Sequence, residues 1–141
     1  MKTKFRDDLS ENTRELLSQV SKTLCMNNLE IVEAGKGYIL ARTPVNDLSK
    51  NPHGNIHGGI IFTLMDTCAG TAASTLGYKV VTLNSSINFI KGLSNGHLYA
   101  KPEIIHHGRT TIVVNVDATD EEDNLIATGT FTMFVLEKIE D

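Results

Sequence analysis

The chain has no run of lysine or arginine. Its 13 basic residues are scattered among 17 acidic ones, for a formal net charge of −4 over 141 residues, which leaves no electrostatic footprint for DNA or RNA. Cysteine is scarce too: Cys25 and Cys68 are not arranged in the close pairs of a redox or zinc motif. A basic-then-apolar leader is missing from the first residues, so the cytoplasm is the expected location. The longest apolar run, around Asp66, is interrupted by Thr, Asp and Gly and is too polar for a bilayer span, so a soluble protein without a membrane partner is expected. Internal repeats and low-complexity tracts are also lacking. A chain of this length is expected to form one domain, residues 1–141, around a single core.

What is present follows two periods. Asp8 with Glu11 three residues later fits a capping box, and Leu9, Leu16, Leu17, Val20 and Leu24 recur at helical spacing, so an amphipathic helix is expected to open the chain. Past Asn27 and Asn28, residues 29–34 and 38–45 are short β-like runs joined across Gly35-Lys36-Gly37, which suits a tight hairpin. Residues 46–57 are turn-formers throughout and lead into Gly58-Gly59 and an apolar helix expected to end near Gly77. From Val80 the period is two: Leu83, Ser85, Ile87 and Phe89 share a face expected to be core, and Thr82, Asn84, Ser86 and Asn88 line a polar one. Further strands are expected at 97–106, 109–119 and 125–137, set off by Asn95-Gly96, Gly108 and the charged turn 120–124.

Six strands in hairpin order with one strongly apolar helix imply an α+β domain, a curved antiparallel six-stranded sheet wrapped around that helix, with the N-terminal helix as an extra element. The polar outward row and the open strand edges leave surface for another subunit, so a dimer at least is expected.

Asp66 is the residue that most needs a reason. It stands nine residues after His57 in a stretch that is otherwise apolar or small. An ionised side chain on a helix enclosed by the rest of the fold must find a partner or change its pKa. Chemistry is one reason to keep it there; a carboxylate capping neighbouring backbone is the other.

Asn51, His57-Gly58-Gly59, Leu64, Asp66-Thr67, the strand Val81-Thr82-Leu83-Asn84-Ser85-Ser86-Ile87-Asn88-Phe89-Ile90, Gly96 and His107-Gly108-Arg109-Thr110 form an ordered set. In that set, over roughly residues 45 to 135, the chain resembles the hotdog-fold acyl-CoA thioesterases of the PaaI-like type. It departs from them at Lys91-Gly92-Leu93, where the family often has a basic residue, a proline and a small residue, and this bears on the local loop rather than the chemistry. The resemblance implies thioester hydrolysis with coenzyme A as part of the substrate and no separate cofactor. Asp66 would be general base or nucleophile, and a backbone N–H at Gly58 would polarise the carbonyl. By family position, Asn51 and His57 hold the thioester or the loop, and Thr82 orients the attacking water. Gly59, Asn84 and Phe89 would line the substrate. Gly108-Arg109-Thr110 would take the pantetheine or nucleotide part of coenzyme A, where Arg109 suits a phosphate. A homodimer, or a tetramer built as a dimer of dimers, would be the assembly.

Elementary geometry bears on these roles. Gly58 and Gly59 at the helix start expose unpaired N–H groups at the positive end of the helix dipole, suited to a developing oxyanion. Nine residues at a rise of about 1.5 Å put Asp66 on the order of 13 Å from His57, and one residue less, about 12 Å, from Gly58, too far for both to act on one carbonyl. A complete centre would therefore join Asp66 of one chain to the helix start of another. Each residue also has a plainer reading: a turn glycine at Gly58, a loop hydrogen bond at His57, a turn former before Pro52 at Asn51, an ordinary strand residue at Thr82, solvated charges at Lys91 and Arg109. The pairs His53/His57 and His106/His107 invite a metal reading but are not expected to make a site, since one lies in a Pro/Gly loop and the other is adjacent on a strand, pointing to opposite sides. A non-catalytic acyl-CoA binding module and a hydratase of the same fold are the alternative functions. The first would be expected to carry an output domain, and the second an Asp and His closer together on the helix.

Overall fold

The computed structural model describes residues 3–24 and 28–139, with the backbone alone for 20–24. The expectations placed on Cys25 and on the side chains of Val20 and Leu24 lie outside the described residues. In chain order the elements are β1 (Lys4–Phe5), α1 (Glu11–Leu24), β2 (Glu30–Gly35), β3 (Tyr38–Pro44), α2 (Gly58–Ser74), β4 (Tyr78–Phe89), β5 (His97–His107), β6 (Thr111–Thr119) and β7 (Leu125–Lys138). One sheet runs β1-β2-β3-β5-β6-β7-β4 and does not close. The helix-in-sheet arrangement of a hotdog fold is thus present, but with seven strands rather than six. The additional strand, β1, pairs parallel to β2 through Lys4↔Glu33 and Phe5↔Ala34, which makes the sheet mixed. Two residues are too few to show a period of two, so nothing in the side-chain pattern announces this strand.

α1 is capped by Ser10, not Asp8. The Ser10 hydroxyl accepts from the Thr13 N–H at 3.1 Å, while Asp8 accepts from the Lys36 N–H at 3.2 Å and so secures the β2–β3 turn. A cap must sit at the residue whose side chain reaches the third position of the helix, and Asp8 lies too early. Leu9 and Leu17 enter the core beside β2, and Leu16 stays half-buried.

α2 packs against one face of the sheet, touching β3 to β7. Ile61, Leu64, Met65, Cys68, Ala69, Ala72 and Ala73 form its buried face, packed on Ile112, Val114 and Val116 of β6 and Phe131 and Met133 of β7 within one core. Full burial of each large side chain contributes about 1.5–3 kcal/mol. The alanines let the strands come close to the helix axis. Thr75 ends the helix, its N–H bonded back to Thr71 and Ala72, and the chain reverses at Gly77 (φ +98), in the left-handed region that glycine tolerates.

The faces of β4 differ from strict alternation. Its register with β7 slips between Thr82 and Asn84, so that Leu83 has no partner and is 62% exposed. This bulge turns Thr82, opposite the buried Met133, to the helix side together with Ser85, Ile87 and Phe89, and leaves Asn84, opposite Thr132, on the outer side. The expected grouping of Leu83 with the core face and of Thr82 with Asn84 is corrected accordingly. Among the described residues β4 pairs with β7 alone, which leaves its other edge open along the strand.

Candidate active site

The loop from Val45 to His57 delivers the start of α2. Asn51 organises it: its side-chain oxygen accepts from the N–H of His53 (3.0 Å) and of Asn55 (3.2 Å), and its own N–H donates to the Asn55 carbonyl at 2.7 Å. His57 is the N-cap, with φ −67 and ψ 135, and its Nδ1 accepts from the Gly59 N–H at 3.1 Å. That bond requires Nδ1 to be unprotonated. The N–H groups of Ile60 and Ile61 donate to the His57 carbonyl. Gly58 is thereby singled out: among the described residues nothing accepts from its N–H, while its neighbours in the first turn are engaged.

A cavity of about 350 Å³ opens at this donor, lined by Asn51, Asn55, Ile56, Gly58, Ile61, Phe89, Ile90, Lys91 and Gly92. A side chain on Gly58 would touch the Phe89 ring, whose Cζ lies 3.4 Å from the place of a Cβ. Asn51, Gly58 and Phe89, all three named through the family resemblance, meet at one place. Gly59 lies beside them, its N–H held by His57.

Asp66 is elsewhere on the same helix and does not line this cavity. α2 is not enclosed on every side as expected. Its flank facing β4 is incompletely covered because β4 is the last strand of the sheet, and Asp66 is half-buried there rather than sealed. The Thr82 hydroxyl donates to Asp66 Oδ1 at 2.7 Å and also lies 3.5 Å from the Met133 sulfur. Among the described residues Asp66 has no salt bridge, and its second oxygen has no hydrogen-bond partner. The Thr82–Asp66 pair is the second centre that the structure assembles.

The remaining nominated residues stand apart from both. Asn84 is exposed on the outer face of the sheet. Gly108, Arg109 and Thr110 form the β5–β6 turn, closed by Gly108 N–H to Thr111 (2.9 Å) and tied to β7 by the Val135 N–H to Thr110 (2.8 Å). The register places this turn far from Gly58 in the same chain. Thr111 pairs with Phe134, which pairs with Val81 near the start of β4, whereas Phe89, at the Gly58 end, pairs with Ala127. His107 stacks edge-on against Tyr78 at that far end, ring centroids 5.4 Å apart. Among the described residues no three His, Cys, Asp or Glu side chains converge as metal ligands would. No helix among them is long and apolar enough to cross a membrane.

Cys68 sits inside α2, fully buried, and burial pushes its thiol far above the usual range, so it is not a nucleophile. Asn55 and Gly92 line the cavity too; Asn55 carries no mark in the sequence that would nominate it, and Gly92 stands out there only within the Lys91-Gly92-Leu93 departure. They belong to loops without a period, and their contact depends on two distant segments meeting.

A profile of the thioesterase superfamily matches residues 53–127. The putative esterase ComA2 of Bacillus subtilis (strain 168) is 33% identical over 114 residues, covering 78% of this chain and 90% of that protein. A hypothetical thioesterase of Streptococcus pneumoniae TIGR4, solved with coenzyme A, superposes with a TM-score of 0.77 at 41% identity, over 81% of this chain and 90% of its own. The same pneumococcal protein has been solved with an aspartate, and with a threonine sixteen positions further on, each replaced by alanine; Asp66 and Thr82 are separated by 16. The acyl-coenzyme A thioesterase PaaI of Escherichia coli K12 is 25% identical over 100 residues, covering 70% of this chain and 71% of that protein. Its structure superposes with a TM-score of 0.84 at 19% identity over 93% of this chain and 98% of its own, a shared fold.

Proposed function

The chain belongs to the thioesterase superfamily and is a thioester hydrolase, and we propose that it hydrolyses acyl-CoA at a centre shared by two copies of itself. The thioester carbonyl oxygen accepts the Gly58 N–H at the start of one α2, and the partner's Asp66 serves as base. The carboxylate takes a proton from water, the hydroxide oxygen bonds to the carbonyl carbon, and the negative charge moves onto the oxygen facing Gly58. The carbon–sulfur bond then breaks. The coenzyme A thiolate leaves and takes up the proton held by Asp66, so that acid and thiol are the products. Thr82 fixes one carboxylate oxygen and leaves the other for the water. Direct attack by the carboxylate on the carbonyl would use the same free oxygen.

The division of the site carries this reading: the free donor opens into a cavity that Asp66 does not reach, and Asp66 lies under an open strand. The edge of β4 presents Val81, Leu83 and Phe89, which are 48%, 62% and 54% exposed, and unpaired edges of this composition favour strand pairing. Two β4 edges joined antiparallel about a two-fold axis would bring the Phe89 end of one strand to the Tyr78 end of the other. That juxtaposition would carry the partner's Gly108–Thr110 turn toward the Gly58 cavity and give Arg109 a phosphate to meet.

Complementation tests the shared centre. Asp66→Asn and Gly58→Pro proteins are each expected to be inactive on an acyl-CoA panel assayed by thiol release. After co-refolding, activity should return to about a quarter of wild type, because half of the dimers are mixed and each keeps one of two intact centres. Mixed dimers that form, as seen by mass, but stay inactive would refute it.

A further inference from the structure

Asn55 and Gly92 are matched in a way that the hydrolysis described above does not use. The carboxamide of Asn55 rests on the bare Cα of Gly92: a Cβ there would lie 2.8 Å from Asn55 Cγ, 2.8 Å from Oδ1 and 3.0 Å from Nδ2. Three nearly equal distances mean that residue 92 meets the flat face of the amide. The in-plane edges, where its donor and acceptor lie, are left open. Both segments are held. Asn55 is bonded through its N–H and its carbonyl to Asn51, and the Ile56 N–H donates to the Leu93 carbonyl at 2.8 Å. Among the described residues nothing bonds Asn55 Oδ1 or Nδ2, although the residue is half-buried and lines the same cavity as the Gly58 N–H.

A half-buried carboxamide without partners is suited to a ligand that offers both a donor and an acceptor. We propose that Asn55 is a specificity-determining residue that binds the amide nearest the sulfur on the thiol side of the substrate. The inference rests on the thioesterase reading above. Coenzyme A carries such an amide, two methylenes from its sulfur. With the thioester carbonyl at Gly58, that group falls a few bonds further along the same cavity, and the Asn55 side chain can donate to its oxygen and accept from its N–H. A side chain at residue 92 would displace the carboxamide, so Gly92 is the second half of the device.

Two thioesters of one acyl group separate the possibilities: the N-acetylcysteamine thioester, which contains the amide, and the S-butyl thioester, which lacks it. Wild type should favour the first in kcat/KM. In Asn55→Ala that preference should fall by about tenfold, the worth of one to two neutral hydrogen bonds. Gly92→Ala, which keeps the carboxamide but pushes it aside, should lose the preference as well, and the double variant should lose no more than Asn55→Ala. The loss should appear in KM more than in kcat. A preference unchanged in both single variants overturns the proposal while leaving the thioesterase reading intact, provided Asp66→Ala still abolishes acyl-CoA hydrolysis. If wild type releases no thiol from any thioester, both fall together.

Discussion

Replacing Gly58 by proline removes the amide hydrogen and adds a ring at a position that can take one. Gly58 is the first residue of α2, the position where proline is best tolerated in a helix because the N–H there has no intrahelical acceptor. His57 before it has φ −67 and ψ 135, inside the extended region that a following proline imposes. The ring would meet Phe89, whose Cζ lies 3.4 Å from the Cβ position, but Phe89 is 54% exposed and has room to yield. The fold should survive. If the Gly58 N–H binds the developing oxyanion, its loss should cost about 2.7–4 kcal/mol of transition-state stabilisation, roughly a hundred- to a thousandfold in kcat. Gly58→Ala, which keeps the N–H and presents the same Cβ to Phe89, measures the steric part separately and should lose less than about tenfold, given that the contact is near van der Waals distance. Thiol release from acyl-CoA gives kcat and KM, and thermal unfolding by circular dichroism checks each protein. A folded Gly58→Pro enzyme with kcat within threefold of wild type would refute the assignment, as would an alanine variant as damaged as the proline one.

Thr82→Val should leave the fold intact and lower kcat by about ten- to a hundredfold with little change in KM, since a hydrogen bond to a charged group contributes about 1.5–3 kcal/mol; Thr82→Ser should restore most of the loss, and an unaffected valine variant would show that the 2.7 Å bond is incidental. In a Cys25→Ser background, Cys68 should resist iodoacetamide in the native protein and react only on unfolding, because burial raises its thiol pKa far above the usual 9.0. The same shift makes Cys68 a source of alkaline instability: above about pH 9 the unfolded chain releases the thiol proton and the folded chain holds it, so stability falls as pH rises. Chemical denaturation midpoints for Cys68→Ala should be flatter between pH 8 and pH 10 than those of the parent.

The sheet and α2 were readable because long segments with a clean period are decided by burial, which leaves its trace in residue type. Ser10 and Asp8 are both capping residues two positions apart, and only the geometry of the β2–β3 turn assigns Asp8 elsewhere. The bulge at Leu83 has no side-chain signature, so strict alternation put Thr82 outside when it faces the helix. Asp66 stands out in the sequence as a carboxylate on an apolar helix. Its partial exposure was not legible, because sequence pattern does not tell which strand ends the sheet. Asn55 and Gly92 lie in irregular segments 37 positions apart, and their match is a property of tertiary contact alone.

α2 carries both the Gly58 donor and the Asp66 carboxylate on one stiff rod. In a pair of chains that share their reaction centres, each rod would serve two masters, its tip acting in one centre and its flank in the other. Any tilt imposed through Leu64 or Met65 would then reach both centres at once, so neither could be tuned alone and binding in the first would be felt mechanically by the second.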